Sequence, residues 1–367
     1  MLTDPHIARM ANVLVEYSLG VQPGWVVTID STTAALPLVR AAYMEVLRAH
    51  AHPYVLLDAP GLKSSLLLSG NDEQLQHENP YKRLMVERSD AILTISAEEN
   101  TRQFNNIDPA RQGLLSKGQR EIGAIRMQRI LEGRPGCLTL FPTEAYAQDA
   151  EMSLDEFQDF VFHACLLDTD EDPAERWREV SRQQQRIVDW LAGKQGVHLE
   201  APGTDLSMSI EGRTFINSDG KRNFPSGEVF TSPVEESVRG TITFTYPTSY
   251  SGRNVQGVKL RFEEGRVVEH SADVGEDFLA AMLEVDEGAR RLGEFAIGTN
   301  PGVTRITRNV LFDEKIAGTI HCALGNSYPN AGGTNKSAIH WDIVTDMRQG
   351  RITVDGELLY ENGEFVI

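Results

Sequence analysis

Apolar residues recur along this chain in two different patterns, and the pattern changes near Gly193–Gly196. Before that point, short apolar runs alternate with stretches of helical spacing. Pro5 opens a helix in which Ile7, Met10, Leu14 and Val15 share a face. A Pro23-Gly24 turn leads into an apolar strand, Trp25 to Ile29, and then a helix carries Ala35, Val39, Ala42 and Val46 on one side. Strand-like runs follow at Tyr54–Leu57, Ala91–Ile95 and Cys137–Phe141, with a helical stretch around Gly118–Leu131. This alternation predicts βαβ units and a mostly parallel sheet. The first strand is followed by Asp30-Ser31-Thr32-Thr33, not by G-x-G-x-x-G, and no Walker loop occurs. Ser153 and Glu156 form a capping box before Phe157, Phe160, Val161 and Ala164, and Asp172 caps a charged helix running to Leu191. Residues 1–195 therefore read as an α/β domain without a nucleotide fingerprint.

Beyond Gly196 the alternation becomes that of half-buried strands. Leu206, Met208 and Ile210 alternate with polar residues, and Thr241–Tyr246 and Val258–Phe262 are further strands. Glu264-Gly265 and Asp355-Gly356 are hairpin turns, the second within Arg351–Val366. One helix is expected, with Phe278, Met282, Val285 and Ala289 as its apolar face. Residues 196–367 read as an α+β domain built mainly from antiparallel strands.

Length agrees with two domains, since 367 residues exceed one ordinary core. The net charge of -18 is spread along the chain and disfavours nucleic acid and anionic membranes as partners, though plain solubility explains it as well. No apolar run is long enough to span a bilayer, and Met1–Gly20 reads as an amphipathic helix, not a signal peptide. Cys137, Cys165 and Cys322 are scattered and unpaired in spacing. They argue for a reducing compartment, the cytoplasm, and against a zinc ribbon or disulfide frame.

The segment His321–Val344 concentrates chemistry. Ile339, Trp341 and Ile343 alternate with His340 and Asp342, so the imidazole and the carboxylate share the opposite face of a strand. His321 lies mid-strand between Ile320 and Cys322, and alternation turns Cys322 to the core. The Gly/Pro/Asn-rich stretch Gly325–Asn335 joins the two strands and holds Tyr328. Two imidazoles and a carboxylate suit a divalent metal, although satisfied strand residues are the plainer alternative. Glu228 follows Phe224-Pro225-Ser226-Gly227, and Glu294 starts an apolar strand. Taken singly, each is more often a strand-edge or salt-bridged residue than a ligand.

Several stretches together resemble a known family. Pro-Ser-Gly-Glu-Val-Phe-Thr (225–231), Gly-Glu-Phe-Ala-Ile-Gly-Thr-Asn (293–300), Thr-Arg-Asn-Val-Leu-Phe-Asp-Glu-Lys (307–315) and the His321–Asp342 segment are similar to the aminopeptidase T/aminopeptidase S family of dinuclear metallopeptidases. Val15–Gly20 and Met152–Phe157 extend the resemblance to the N-terminal domain. It implies two divalent ions per chain, zinc foremost, with cobalt, manganese or magnesium as alternatives. The implied ligands are Glu228, Glu294, His321, His340 and Asp342, with Tyr328 as the active-site tyrosine. It further implies a homodimer whose active site opens into an enclosed cavity, acting on short peptides with a free N-terminus.

Such a site answers the needs of an exopeptidase hydrolase. Two metals about 3.5–4 Å apart can acidify water, polarise the scissile carbonyl and receive the free amine. Glu294 is the candidate to shuttle a proton from water to the leaving amine, or else a ligand only. Tyr328 can donate to the oxyanion, unless it is a packed loop aromatic. The alternative is a mononuclear non-haem iron dioxygenase of the hydroxypyridine ring-cleaving type. Those enzymes resemble this fold, and two histidines with one carboxylate form their triad too. Against it, Glu228 and Glu294 supply ligands for a second metal. A serine hydrolase built on Ser327 lacks the nucleophile elbow, since Gly325-Asn326-Ser327-Tyr328-Pro329 has no second glycine.

Overall fold

The computed structural model describes residues 4–169, 171–250 and 252–367. The chain forms two compact units: residues up to Arg178 together with Gly220–Pro225, and Glu179–Asp219 together with Ser226–Ile367.

The first unit holds a five-stranded parallel sheet. Its spatial order is His52–Asp58, Val26–Thr32, Ala91–Ser96, Gly136–Leu140, Asn223–Phe224. Val27, Ile29, Leu93 and Ile95 are buried, as expected of strands covered on both faces. The order reverses direction between Val26–Thr32 and Ala91–Ser96, the doubly wound arrangement. The first helix, Pro5–Val13, begins where Asp4 accepts a hydrogen bond from the His6 amide and Pro5 needs no donor partner. Helix Leu36–Arg48 buries Val39, Ala42 and Val46, the stripe its sequence predicts. The Ser153–Glu156 capping box is present at the start of Leu154–Ala164.

The helical stretch expected around 118–131 is two helices, Pro109–Gly118 and Arg120–Leu131. Three more precede it at Leu62–Ser69, Asp72–Gln76 and Pro80–Arg88. Each of these three buries a single side chain, Leu67, Leu75 or Val86, so no apolar period marks them. Two of them signal instead through their caps, Asn71 with Gln74 and Asn79 before Pro80, as Asp108 does before Pro109, while Leu62–Ser69 follows Gly61 and has no side-chain cap.

The second unit packs two antiparallel sheets on one core. The larger has eight strands, in the order Arg266–Ser271, Lys259–Glu263, Arg239–Thr243, Thr204–Ser209, Gly196–Ala201, Arg351–Val354, Glu357–Glu361, Glu364–Phe365. The smaller has five, in the order His340–Asp346, Thr319–Gly325, Leu292–Gly298, Glu228–Thr231, Ile216–Ser218. Leu199, Leu206, Ile242 and Leu260 from the larger sheet share a core with Phe295, Ile297, Cys322, Trp341 and Ile343 from the smaller. The hairpin turns stand where expected, with Glu264, Gly265, Asp355 and Gly356 all at positive φ. The expected helix is shorter than its pattern: Glu276–Leu283 buries Leu279 and Leu283, while Val285 is exposed. Asp286 then caps a separate turn, Glu287–Arg290, by accepting from the Ala289 amide, and this ends the run.

Candidate metal centre

Four neighbouring strands of the smaller sheet place charged side chains on the face turned away from the core. Register makes this explicit. His321 stands opposite Ala296, Glu294 and Asp342 flank Ala323, Glu228 faces Gly298, and His340 faces Gly325. Directly paired residues share a face, so Glu228, Glu294, His321, His340 and Asp342 lie together with alanine or glycine between them. Those small residues leave room above the sheet. The other face carries Phe295, Ile297, Cys322, Trp341 and Ile343, which places Cys322 in the core as alternation predicts.

Glu294 reaches this face because the strand contains a bulge. Leu292 pairs with Leu324 on the core side, and two residues later Glu294 pairs with Ala323 on the site side. Strict alternation from Leu292 would have buried Glu294 among the core residues. The extra residue is Gly293, where a Cβ would lie 2.2 Å from the Asn326 carbonyl oxygen. A second glycine is required just before Glu228. Gly227 has φ +121, and a Cβ there would lie 2.6 Å from the Asn300 Cβ.

Both imidazoles have their outer nitrogen held by main chain. His321 Nδ1 lies 3.1 Å from the Glu314 carbonyl and His340 Nδ1 lies 2.8 Å from the Asn326 carbonyl. Nδ1–H donates in each case, and Nε2 is directed at the carboxylates, as in histidines that bind metals. His321 Nε2 is 3.5 Å from Glu294 Oε1, 3.7 Å from Glu228 Oε2 and 4.0 Å from Asp342 Oδ1. His340 Nε2 is 3.2 Å from Glu294 Oε2 and 3.4 Å from Asp342 Oδ1.

The electrostatics are those of a pocket short of positive charge. Burial opposes charging of His321, but Glu294 and Glu228 outweigh it and carry the imidazole up to about 9. Burial likewise opposes charging of His340, and Asp342 and Glu294 carry it up to about 12. Burial would raise Asp342, yet His340 and His321 bring it down to about 2. Glu294 is also held below its ordinary range by the two imidazoles in spite of its burial.

Two further residues enter from the segment before His321. Helix Val310–Asp313 delivers Glu314 and Lys315 to the same pocket. Lys315 is fully buried, and its Nζ donates to Glu228 Oε1 at 2.6 Å and to Glu314 Oε1. Burial, with Glu228 and Asp342 nearby, pushes the Glu314 carboxyl up to about 8 against the pull of Lys315. The stretch 307–315 carries part of the family resemblance, but the sequence assigns neither residue a role. The signal was Asp313-Glu314-Lys315, three charges closing the apolar run Val310-Leu311-Phe312. Asp313 proves structural, accepting from the amide and hydroxyl of Thr307.

Tyr328 arrives on the loop after Thr319–Gly325. Its hydroxyl is 3.4 Å from His340 Nε2, and its ring stands edge-on to His340 and tilted against Phe230. Its amide donates to Ser232 Oγ, which donates to the Gly293 carbonyl, so the tyrosine is tied to the bulge that aims Glu294. Glu235 clamps the far end of the loop by accepting from the Thr334 and Asn335 amides while Arg213 holds its other oxygen. Burial, followed by the nearby carboxylates, raises the phenol well above its usual range, so it keeps its proton. Ser327 Oγ donates to the Asn335 carbonyl and is spent in holding the loop.

The donor set fits divalent cations. Glu228 Oε2, His321 Nε2 and Asp342 Oδ1 are buried without a hydrogen-bond partner. Leaving three such atoms facing one another is costly unless a cation joins them. Two groups have ligand atoms within 4.8 Å of one another: Glu228, Glu314 and His321, and Glu294, His340 and Asp342. Oxygen and imidazole donors without thiolate suit borderline and hard divalent ions.

Fold and donor set together describe a metal-dependent enzyme. The thermophilic metalloprotease (M29) profile matches residues 3–365, and the chain belongs to that family. Across an alignment 410 positions long it is 29% identical to aminopeptidase 2 of Geobacillus stearothermophilus, spanning 99% of this chain and 98% of the relative. Over 230 residues it is 34% identical to aminopeptidase T of Thermus aquaticus, 55% of each chain. Among solved structures, wild-type AmpT from Thermus thermophilus superposes with a TM-score of 0.86 at 23% identity, over 99% of both chains. A 2,5-dihydroxypyridine dioxygenase from Pseudomonas putida KT2440 shares the fold at a TM-score of 0.61 and 15% identity, over 98% of this chain and 96% of that one.

Proposed function

We infer that the protein is a metal-dependent aminopeptidase that removes N-terminal residues from peptides by attack of water. The observation that carries this reading is the convergence of two oriented imidazoles and buried carboxylates on one sheet face, with three orphaned atoms between them, in a chain of the M29 family. Glu228, Glu294, His321, His340 and Asp342 would hold two divalent ions, with zinc foremost and cobalt, manganese or magnesium also compatible. Bound there, the ions would supply an acidified water and a polarised carbonyl. In this reading residues 196–367 are the catalytic domain, and residues 1–195 an α/β domain without a nucleotide site.

The side chains then divide the work. Glu294 lies between the two imidazoles and takes the proton from the attacking water, then passes it to the leaving amine. Tyr328 stays protonated and donates its O–H to the oxyanion that develops on the carbonyl. Asn326 and the Glu314 carbonyl keep both imidazoles in the tautomer that offers Nε2. The iron-dioxygenase alternative rests on likeness of fold at 15% identity and on a two-histidine, one-carboxylate triad, and has no role for Glu228 beside Glu314.

Short peptides with a free N-terminus are the proposed substrates, and the cytoplasm, where three buried free cysteines persist, is the proposed location. Among the described residues no helix is long and apolar enough to cross a membrane. A homodimer is supported by the edge strand His52–Asp58, which leaves Tyr54, Val55 and Leu57 exposed, with Leu62 and Leu68 following. The deciding experiment is release of free amino acid from a leucine-initiated peptide by metal-stripped protein, before and after zinc, cobalt or manganese is added back. Turnover restored by metal and blocked by N-acetylation of the peptide is expected. Turnover on the acetylated peptide, or none with any metal, would refute the assignment.

A further inference from the structure

Lys315 is a fully buried ammonium in contact with a candidate metal ligand, and the proposed mechanism gives it no task. Its contacts are specific. Nζ donates to Oε1 of Glu228 at 2.6 Å and to Oε1 of Glu314. The other oxygen of Glu228, Oε2, has no hydrogen-bond partner and faces His321 Nε2 at 3.7 Å. The two oxygens of one carboxylate are thus assigned different work: one is occupied by an ammonium and the other is left bare toward the pocket. Position is enforced from the backbone as well, because the Glu314 carbonyl that precedes Lys315 fixes the ring of His321.

We propose that Lys315 is a positioning residue that withholds Oε1 of Glu228, so that Glu228 can meet a metal only through Oε2 and the neighbouring ion keeps a coordination position open for substrate. The inference rests on the metallopeptidase reading of the site. A carboxylate can bind through one oxygen or both, and an ion with fewer protein ligands keeps room for water or substrate. A buried lysine would be a poor choice if only fold stability were needed. A buried ion pair is often no more stabilising than apolar residues of similar volume, whereas a cation beside a metal site also weakens metal binding by repulsion. Retaining one is understandable where it restricts how the ligand binds.

The test is Lys315→Met in the full chain, stripped of metal and titrated with cobalt(II). Cobalt absorbs strongly in the visible when four-coordinate and weakly when its coordination number is higher. With the ammonium gone, Glu228 is free to bind through both oxygens and the pocket gains negative charge. Cobalt affinity should therefore rise about tenfold or more, visible absorption should weaken, and kcat should fall about a hundredfold with KM little changed. A residue needed only for folding would lower stability, affinity and activity together and leave the spectrum of the bound fraction as in the parent. Lys315→Leu, which likewise leaves Oε1 of Glu228 without a donor, is the second variant should the first not fold. It should shift affinity and spectrum the same way. Parent-like cobalt spectra in the folded variant overturn the inference. Failure of the parent protein itself to bind cobalt would instead refute the reading of the site, so the two failures are distinct.

Discussion

Buried acidic groups in the two units behave in opposite ways. Asp30, on the parallel sheet near its topological switch point, is nearly buried, yet Arg126 meets it at 2.8 Å and Lys82 at 3.4 Å. On the antiparallel sheet Glu228, Glu294 and Asp342, joined by Glu314, have one full-time cation among them, Lys315. Their imidazole neighbours are driven toward protonation, and buried atoms go without partners. The doubly wound half has the topology that often binds nucleotides, but its acidic group is already neutralised. The half with less familiar topology is the one that calls for cations. Unbalanced buried charge, more than fold class, locates the chemistry.

The comparison is tested most severely at Glu294. Glu294→Gln keeps shape and one ligand oxygen but cannot carry the proton. We expect kcat to fall by about a thousandfold or more while the fold and much of the metal remain, read by steady-state kinetics beside metal analysis. Near-normal turnover would remove Glu294 from the mechanism and leave it a ligand at most.

Charge balance itself can be titrated. In the metal-free protein His321 is carried from 6.5 up to about 9 and His340 from 6.5 up to about 12. A raised imidazole contributes stability in full below its unfolded value and loses it as pH climbs through the folded value. Glu314, raised from 4.5 to about 8, acts with the same sign. Metal-free protein should therefore lose thermal stability between about pH 6.5 and 9. Metal ligation needs neutral imidazoles, so uptake releases protons, and the stabilisation by metal should grow across that window. Melting curves with and without chelator check this. A metal-induced shift that shrinks as pH rises would contradict it.

How much of this was legible beforehand follows from what periodicity can record. His340 and Asp342 announce a shared face because Ile339, Trp341 and Ile343 mark the other one. Four strands of the parallel sheet are visible because each contains a short apolar run, whereas the two-residue fifth strand, Asn223–Phe224, has none and lies far along the chain. Glu294 was harder, because a bulge at Gly293 breaks the parity counted from Leu292. Family resemblance, not alternation, singled it out. Glu314 and Lys315 lie in a stretch that carries the resemblance, but their role is hidden because they stand at the end of a one-turn helix, where no period exists. Only the folded chain shows that this charged run is turned inward. The helices between 62 and 88 hide for a related reason: each buries one side chain, and the caps at Asn71 and Asn79 are quieter than stripes.

Tyr328 offers a smaller effect at the same site. Tyr328→Phe removes a hydroxyl 3.4 Å from His340 Nε2 and keeps the ring packed on Phe230. An oxyanion donor acts in the transition state more than in the bound substrate, so kcat should fall about ten- to a hundredfold with KM little altered. The reverse pattern, with KM raised and kcat intact, would make the tyrosine a substrate-binding residue.

The smallest effect is predicted where the charges already balance. Asp30→Asn deletes one charge from the trio with Arg126 and Lys82, whose side chains are about one third exposed. Water can take over part of what the two cations lose, which limits the cost to about 1 kcal/mol of stability. Metal content and kcat should stay within about twofold of the parent, since nothing at Asp30 is left seeking a cation. This outcome requires a melt, a metal analysis and an activity assay on one variant. A drop in bound metal or turnover larger than the change in stability would show that the parallel-sheet unit takes part in the chemistry. The contrast between a neutralised carboxylate on one sheet and unbalanced ones on the other would then no longer locate the site.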